Sequence, residues 1–172
     1  MANHAVFVSS NIKATKCGHI LNFVHTEDCD NGTIWAKGDL VTGELEIYKA
    51  KQAATTDKVY VAGSVPLIYD NSTKSKAAET NFYNENNTVM RMYELVPDDR
   101  FEVSVSLIKA ASGEVAVGNE VIVDAAAAGK YEEKTKGTAA DEVFVADIVA
   151  IKTYGIGAGA DKRALLCVRK NG

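Results

Sequence analysis

Residues 58–101 read KVYVAGSVPLIYDNSTKSKAAETNFYNENNTVMRMYELVPDDRF. Two apolar runs, at 59–69 and 89–96, have the length and residue types of β-strands. An acidic turn follows the second run, and apolar and polar residues alternate again over 101–107. This order predicts a β-rich module that carries one long exposed loop at 70–88.

The loop at 70–88 is rich in Asn, Thr, Ser, Lys and Glu. Loops of this length without regular structure are uncommon in compact domains and are often functional. The one aromatic pair of the loop, Phe82 and Tyr83, would be costly to leave in water. The pair either pins the loop onto its own domain or contacts a partner surface, and both interpretations stay open. Phe82 and Tyr83 are therefore the candidate partner-contact residues.

Short strand-like runs and turn signals also occupy the first third of the chain. Asp30-Asn-Gly-Thr predicts a β-hairpin, because an Asn-Gly pair readily adopts the positive φ angles of a tight turn. The apolar runs around it lie at 5–8, 20–24, 33–36 and 44–48. Close turns between short strands are typical of a meander or a small barrel.

The last third alternates most regularly. Residues 141–151 are apolar on both faces, which indicates a central strand. Gly155, Gly157 and Gly159 follow in a pattern that resembles a phosphate-binding loop. A strand-like segment comes after these glycines where a nucleotide site needs a helix N-terminus, so we interpret them as a hairpin loop.

The fold class that these patterns predict is mainly β: a small β-barrel or sandwich with long loops. We divide the chain into an N-terminal β region or arm at 1–57 and a barrel or sandwich core at 58–172, which carries the loop at 70–88. Residues 1–30 are expected to be separable from the C-terminal β core.

Composition narrows the choice of partners. The chain has 172 residues, is 47% hydrophobic and carries a net charge of -4. A mildly acidic protein gains nothing from releasing phosphate counterions, so we expect no nucleic-acid partner. No apolar stretch approaches the roughly 18 residues of a membrane helix, and no export signal is visible. We therefore expect no membrane partner and synthesis in the cytoplasm.

Four potential metal ligands, Cys17, His19, His25 and Cys29, lie close together in the sequence. The alternation over 19–25 predicts a strand that separates the two histidines by about 20 Å, too far for one ion. No nucleophilic triad stands out, and adjacent carboxylates on a strand point to opposite faces. We therefore expect no catalytic, cofactor-binding or metal-binding residues, and no enzymatic activity.

The order of several short elements resembles the head decoration proteins of tailed bacteriophages, also called auxiliary capsid or cement proteins. The elements are Val65-Pro66 with Tyr69-Asp70, Asn81-Phe-Tyr-Asn84, Arg91-x-Tyr93-x-Leu95, Phe101-x-Val103-Ser104, Val117-Gly118-x-x-Val121 and the closing strand at 165–168. They cover roughly residues 58–170. The resemblance implies a structural protein that binds the outside of the assembled major capsid protein shell and stabilises it. It also implies no cofactor, and a location on the virion exterior after synthesis in the host bacterium.

Two other classes of function remain as alternatives. One is another phage structural component, such as a head fibre, tail tube or head–tail connector protein, which ring formation in solution would favour. The other is a small soluble β-barrel that binds a ligand or acts as an enzyme. Self-association into a homo-oligomer is compatible with each class.

Overall fold

The computed structural model describes residues 4–68, 72–73, 78–155 and 160–172, apart from the side chain of Cys17. Strands make up 45% of the structure and helices 6%, which confirms the prediction of a mainly β protein. The helical segments are α1 (Ala14–Cys17) and two 3₁₀ turns, Glu79–Asn81 and Val105–Leu107. The strands are β1 Phe7–Asn11, β2 Ile20–Val24, β3 Ile34–Leu40, β4 Ile47–Lys51, β5 Val59–Ala62, β6 Val89–Glu94, β7 Arg100–Ser104, β8 Ile108–Lys109, β9 Glu120–Val123, β10 Tyr131–Lys134, β11 Phe144–Tyr154 and β12 Asp161–Asn171.

Five strands close into a small barrel in the order β2-β4-β3-β5-β6. All of its neighbouring strands are antiparallel except β2 and β4, which are parallel. Alternate side chains of a strand point to opposite faces, so each strand sends one set of residues inward. Phe23, Trp35, Met90 and Met92 form most of the buried interior.

The other seven strands form a sheet in the order β1-β7-β12-β11-β9-β10-β8. The 3₁₀ turn Val105–Leu107 alone joins β7 to β8, although these strands lie near opposite ends of the sheet. The sheet must therefore curl until the β8 edge comes round to β7, in keeping with the twist of β-sheets. We call it the curled sheet.

The barrel and the curled sheet share one apolar core. This core joins barrel residues such as Val59, Val61 and Leu95 to Phe101 and Phe144 of the curled sheet. The last strand reinforces the junction through Asn171. Its buried amide accepts a hydrogen bond from the N–H of Val59 and donates to the carbonyls of Val59 and Leu95, each over 2.9 Å.

Strand pairing crosses the boundary that we predicted at residue 57. The strands β2, β3 and β4 precede that boundary and β5 and β6 follow it, yet all five form the barrel. The first strand, β1, pairs with β7 of the curled sheet. The structure thus groups the chain by sheet, and removing residues 1–30 would break the β1–β7 and β2–β6 pairings.

Two local predictions are wrong. The Asn-Gly turn exists, but β2 and β3 on either side of it do not pair with each other and so form no hairpin. The strand expected at 59–69 ends at Ala62. A Cβ on Gly63 would lie within 2.6 Å of the Phe7 and Tyr93 rings. The chain therefore passes closely beneath two aromatic side chains where the strand stops.

The prediction of a hairpin at the end of the chain is confirmed. The strands β11 and β12 pair antiparallel from Phe144 and Asn171 to Tyr154 and Asp161. The glycines at 157 and 159 lie outside the described residues, as does most of the connecting loop. No helix in the described parts of the chain is long and apolar enough to cross a membrane.

Candidate interaction surface

The Asn31 side chain connects two segments that the sequence separates widely. Its Oδ1 accepts hydrogen bonds from the Ser64 N–H and from Nδ2 of Asn84, both at 3.1 Å. Its Nδ2 donates to the carbonyl of Ser64 over 2.9 Å. The amide therefore fixes the start of the segment after β5 beside the end of the loop before β6.

That loop is held down at several points. Asn84 and Cys29 exchange two backbone hydrogen bonds, and the N–H of His4 donates to the carbonyl of Thr80 over 2.8 Å. The side-chain amide of Asn84 also donates to the Cys29 carbonyl over 3.1 Å. Residues 78–88 of the loop thus present their side chains on a fixed backbone.

Tyr83 packs against a residue near the start of the chain. Its ring stacks on the His4 ring with 4.7 Å between centroids. The Asp30 carboxylate faces His4 Nδ1 at 2.7 Å and accepts a hydrogen bond from the Ala5 N–H at 2.9 Å. Phe82 is half-buried, like Tyr83. Tyr83 therefore has a partner within the chain, while contact of either aromatic residue with another molecule stays a prediction.

Two apolar side chains lie exposed on the segment that Asn31 fixes. Val65 is 59% exposed and Leu67 is 65% exposed. The Ser64 hydroxyl accepts a hydrogen bond from the Arg91 N–H, so the segment continues alongside β6. We define Val65, Leu67, Phe82 and Tyr83 as the loop surface. An exposed apolar surface suits binding to a protein partner.

A second exposed apolar group lies at the opposite end of the barrel. Leu45, on the turn between β3 and β4, is 88% exposed and stands between Glu44 and Glu46. Leu40 and Ile20 at that end are also exposed. Both ends of the barrel thus expose apolar side chains, and the Leu45 turn serves as a matched control for the loop surface.

The outer face of the curled sheet carries a network of charged residues around Glu102. Its buried carboxylate accepts hydrogen bonds from Lys152 and, over 2.9 Å, from the Tyr154 hydroxyl. Burial disfavours the charge, but these hydrogen bonds outweigh burial and hold the pKa of Glu102 below its ordinary value. Arg163 lies over the Tyr154 ring and pairs with Asp161 at 2.6 Å. Each of these charges is paired, as in an ion network that stabilises the sheet.

His19 and His25 have different partners, and the side chain of Cys17 lies outside what the structure describes. His19 pairs with Glu94, while the His25 ring packs against Trp35. Cys29 is buried, and burial raises the pKa of its thiol to about 12, with further help from the nearby carboxylates of Asp30 and Asp28. No group of three or more His, Cys, Asp or Glu side chains that could hold a metal ion occurs among the described residues.

Glu133 fixes the loop between β8 and β9. Its buried carboxylate accepts hydrogen bonds from the N–H groups of Ala111 and Ala116 and from the Asn119 amide, at 2.8 to 2.9 Å. Burial disfavours the charged carboxylate, but the three donors outweigh burial, and the pKa of Glu133 lies below its ordinary value. No signal in the sequence marks Glu133, because its neighbour Glu132 has the same side chain and points to the other face of β10.

Replacing Glu133 with glutamine is expected to lower the free energy of unfolding at pH 7 by about 1–2 kcal/mol, because an amide cannot replace a carboxylate that accepts three hydrogen bonds. A carboxyl whose pKa falls on folding stabilises the protein above its ordinary pKa of about 4.3, and this contribution is lost as the pH falls through the folded value. In urea denaturation from pH 7 to pH 3, the free energy of unfolding should therefore fall less in the variant than in the wild type. Glu132→Gln is the control and should change stability by less than about 1 kcal/mol. Equal effects of the two variants would contradict this role for Glu133.

Comparison with protein-family models, with curated proteins and with solved structures finds no match to this chain.

Proposed function

We propose that this chain is a structural virion protein that binds the outside of an assembled phage capsid shell and stabilises it. The observation that carries this proposal is the loop surface, where Val65 and Leu67 are exposed just after Ser64, which the Asn31 amide holds in place. Apolar side chains that are exposed in the free protein gain free energy when binding removes them from water. An exposed apolar surface of this kind fits a protein–protein contact.

The architecture supports the same role. A protein that reinforces a shell must resist unfolding under load, and the shared core makes the barrel and the curled sheet one packed body. The net charge of -4 disfavours adhesion to packaged DNA. The order of elements over 58–170, which resembles phage head decoration proteins, points to the major capsid protein as the partner.

The test is co-sedimentation with assembled shells of the phage that encodes the chain. The protein should bind the shells but not free capsid subunits, since a site shared by neighbouring subunits exists only after assembly. Cryo-electron microscopy of the decorated shells should place its density on the outside. Density inside the shell or in the tail, or no binding to shells, would refute the proposal.

Charged substitutions on the loop surface test whether the protein binds shells through this surface. The double variant Val65→Asp and Leu67→Asp is expected to weaken shell binding at least tenfold, or about 1.4 kcal/mol, because charges would enter a desolvated contact. Leu45→Asp makes the same change at the other end of the barrel and should bind like the wild type. If the Leu45 variant alone loses affinity, the protein binds shells through the other end of the barrel.

Phe82 and Tyr83 need a separate measurement, because Tyr83 also packs within the chain. Replacing both with alanine should lower the melting temperature through loss of the stack on His4. If the two residues also contact the shell, affinity should fall further than in a His4→Ala control that removes only the internal stack. Equal affinities of these two variants would limit the aromatic pair to a structural role.

A further inference from the structure

The turn before β3 contains a chemically reactive pair of residues. An asparagine followed by glycine is the sequence most prone to lose its side-chain amide, because glycine has no Cβ to keep its backbone nitrogen away from the asparagine side chain. The chain has two such pairs, Asn31-Gly32 and Asn171-Gly172. Both asparagines are buried, and both amides join segments that are distant in sequence. The fold therefore depends on two residues that spontaneous chemistry can destroy.

The reaction at Asn31 would be a deamidation. The Gly32 nitrogen loses its proton to solvent and attacks Cγ of the Asn31 side chain. A new C–N bond closes a succinimide ring, while the side-chain nitrogen takes up a proton and leaves as ammonia. Water then adds to either ring carbonyl and breaks its C–N bond. The product carries aspartate or isoaspartate at position 31.

The fold holds both reacting groups away from this reaction. The Gly32 N–H donates to the carbonyl of Ala62 over 2.7 Å. The Asn31 amide bonds to both backbone groups of Ser64 and accepts from the Asn84 amide, over 2.9 to 3.1 Å. Attack on Cγ requires the Gly32 nitrogen to give up its bond and the Asn31 amide to rotate. The turn must therefore open locally before the pair can react.

Packing explains why this turn keeps its glycine. Gly32 has a φ of +88°, a conformation that residues with a Cβ rarely adopt. A Cβ at this position would also lie 3.1 Å from side-chain atoms of Val103 and Leu107, both of which belong to the shared core. Replacing the glycine would thus strain the turn and crowd the core. The structure suppresses the reaction by geometry while the reactive sequence stays in place.

We propose that Asn31 is a deamidation site that the closed turn keeps unreactive, and that a chain whose turn opens is converted to a form that cannot close in the same way. In the product, one carboxylate oxygen could still accept from Ser64 and Asn84. The other would face the Ser64 carbonyl, to which the Asn31 amide now donates over 2.9 Å, and it has no hydrogen to donate. Two opposed oxygens in a buried site are unfavourable. Isoaspartate would also lengthen the main chain beside the tightly packed Gly32.

This inference goes beyond shell binding and does not depend on it, because the free protein provides the test. The wild type is incubated in mildly alkaline buffer with and without denaturing guanidinium chloride, and peptide mass spectrometry follows Asn31 and Asn171. Asn31 should deamidate at least tenfold more slowly in the native protein than in the unfolded chain, which corresponds to an opening cost of about 1.4 kcal/mol or more. Equal rates in the two conditions would overturn the proposal.

Asn84→Ala removes one donor from the Asn31 amide and leaves the reactive pair intact. Deamidation of Asn31 should become about fivefold faster, the factor for one hydrogen bond of about 1 kcal/mol. Asn171, at the junction of the barrel and the curled sheet, should keep its wild-type rate. An unchanged rate at Asn31, or equal acceleration at both sites in a folded variant, would overturn control by the turn. If the variant is unfolded by circular dichroism, the wild type below its guanidinium midpoint replaces it, and Asn31 should then react before Asn171.

Asn31→Asp reproduces one product of the reaction. It should lower the melting temperature by at least about 4 °C, because the buried carboxylate faces the Ser64 carbonyl. Asn87→Asp makes the same change at an exposed position of the loop before β6 and should leave the melting temperature within about 2 °C of the wild type. Equal melting temperatures of the two variants would mean that the deamidated turn closes normally, which would overturn the irreversible step.

Discussion

Replacing Arg169 with methionine is expected to lower the free energy of unfolding by about 3 kcal/mol. Arg169 on β12 pairs with the carboxylate of Glu120 on β9, and Glu120 is fully buried. The other Glu120 oxygen accepts one hydrogen bond, from the N–H of Ala139 over 2.8 Å. Without the guanidinium, a buried carboxylate would have no positive partner. The cost of that isolated charge dominates the expected effect.

Arg169 also lies near a second carboxylate. Its Nε is 3.3 Å from Oδ1 of Asp147 on β11, an oxygen that is buried. The Arg169 side chain is 42% exposed, so the expected loss of stability lies at the low end of the range for buried pairs. One guanidinium thus neutralises acids from two neighbouring strands.

A double variant separates the ion pair from general packing. Changing Glu120 to glutamine together with Arg169→Met removes both charges and keeps an oxygen that can accept from Ala139. This protein should be more stable than the Arg169→Met single variant, with a coupling free energy of at least about 1 kcal/mol. Urea denaturation followed by circular dichroism gives all the required midpoints. A loss below about 1 kcal/mol in the single variant, the value of an exposed pair, would show that the pair does not act as a buried one.

The strands themselves could be predicted from sequence where alternation was strong. β2 lies at Ile20–Val24 as predicted, and the alternating residues at 141–151 fall mostly within β11. These segments have one face in a core, so their side-chain pattern records their structure. The pattern at 59–69 misled because Val65 and Leu67 are apolar yet exposed. Hydrophobicity alone does not distinguish a buried strand from an apolar surface.

The strand order could not be predicted, because it depends on partners far apart in the chain. The parallel pairing of β2 with β4 closes the barrel, and nothing in either strand specifies it. The loop surface shows the same limit. Sequence marked Phe82 and Tyr83 as unusual residues in a polar loop, but the stack of Tyr83 on His4 joins positions 79 residues apart. Glu133 and Asn31 likewise act through backbone groups that a sequence does not place.

The shared core predicts that the barrel and the curled sheet unfold together. Phe101 on β7 is fully buried in this core, and the centroid of its ring lies 5.9 Å from that of the Phe7 ring. Phe101→Ala removes a large side chain from a close-packed site and should lower the free energy of unfolding by about 3–5 kcal/mol. The substitution should destabilise the barrel as well, although Phe101 belongs to the curled sheet.

Trp35 is the only tryptophan of the chain and lies in the barrel interior, so its fluorescence reports on the barrel. In Phe101→Ala, the urea midpoint from Trp35 fluorescence should fall together with the midpoint from circular dichroism. Coincident transitions from two probes are the mark of one cooperative unit. Phe23→Ala, inside the barrel, is the matched control and should move both midpoints as well. If the Trp35 transition of Phe101→Ala instead stays at the wild-type midpoint, the barrel unfolds as an independent unit. Its strands would then be stable without the core that they share with the curled sheet.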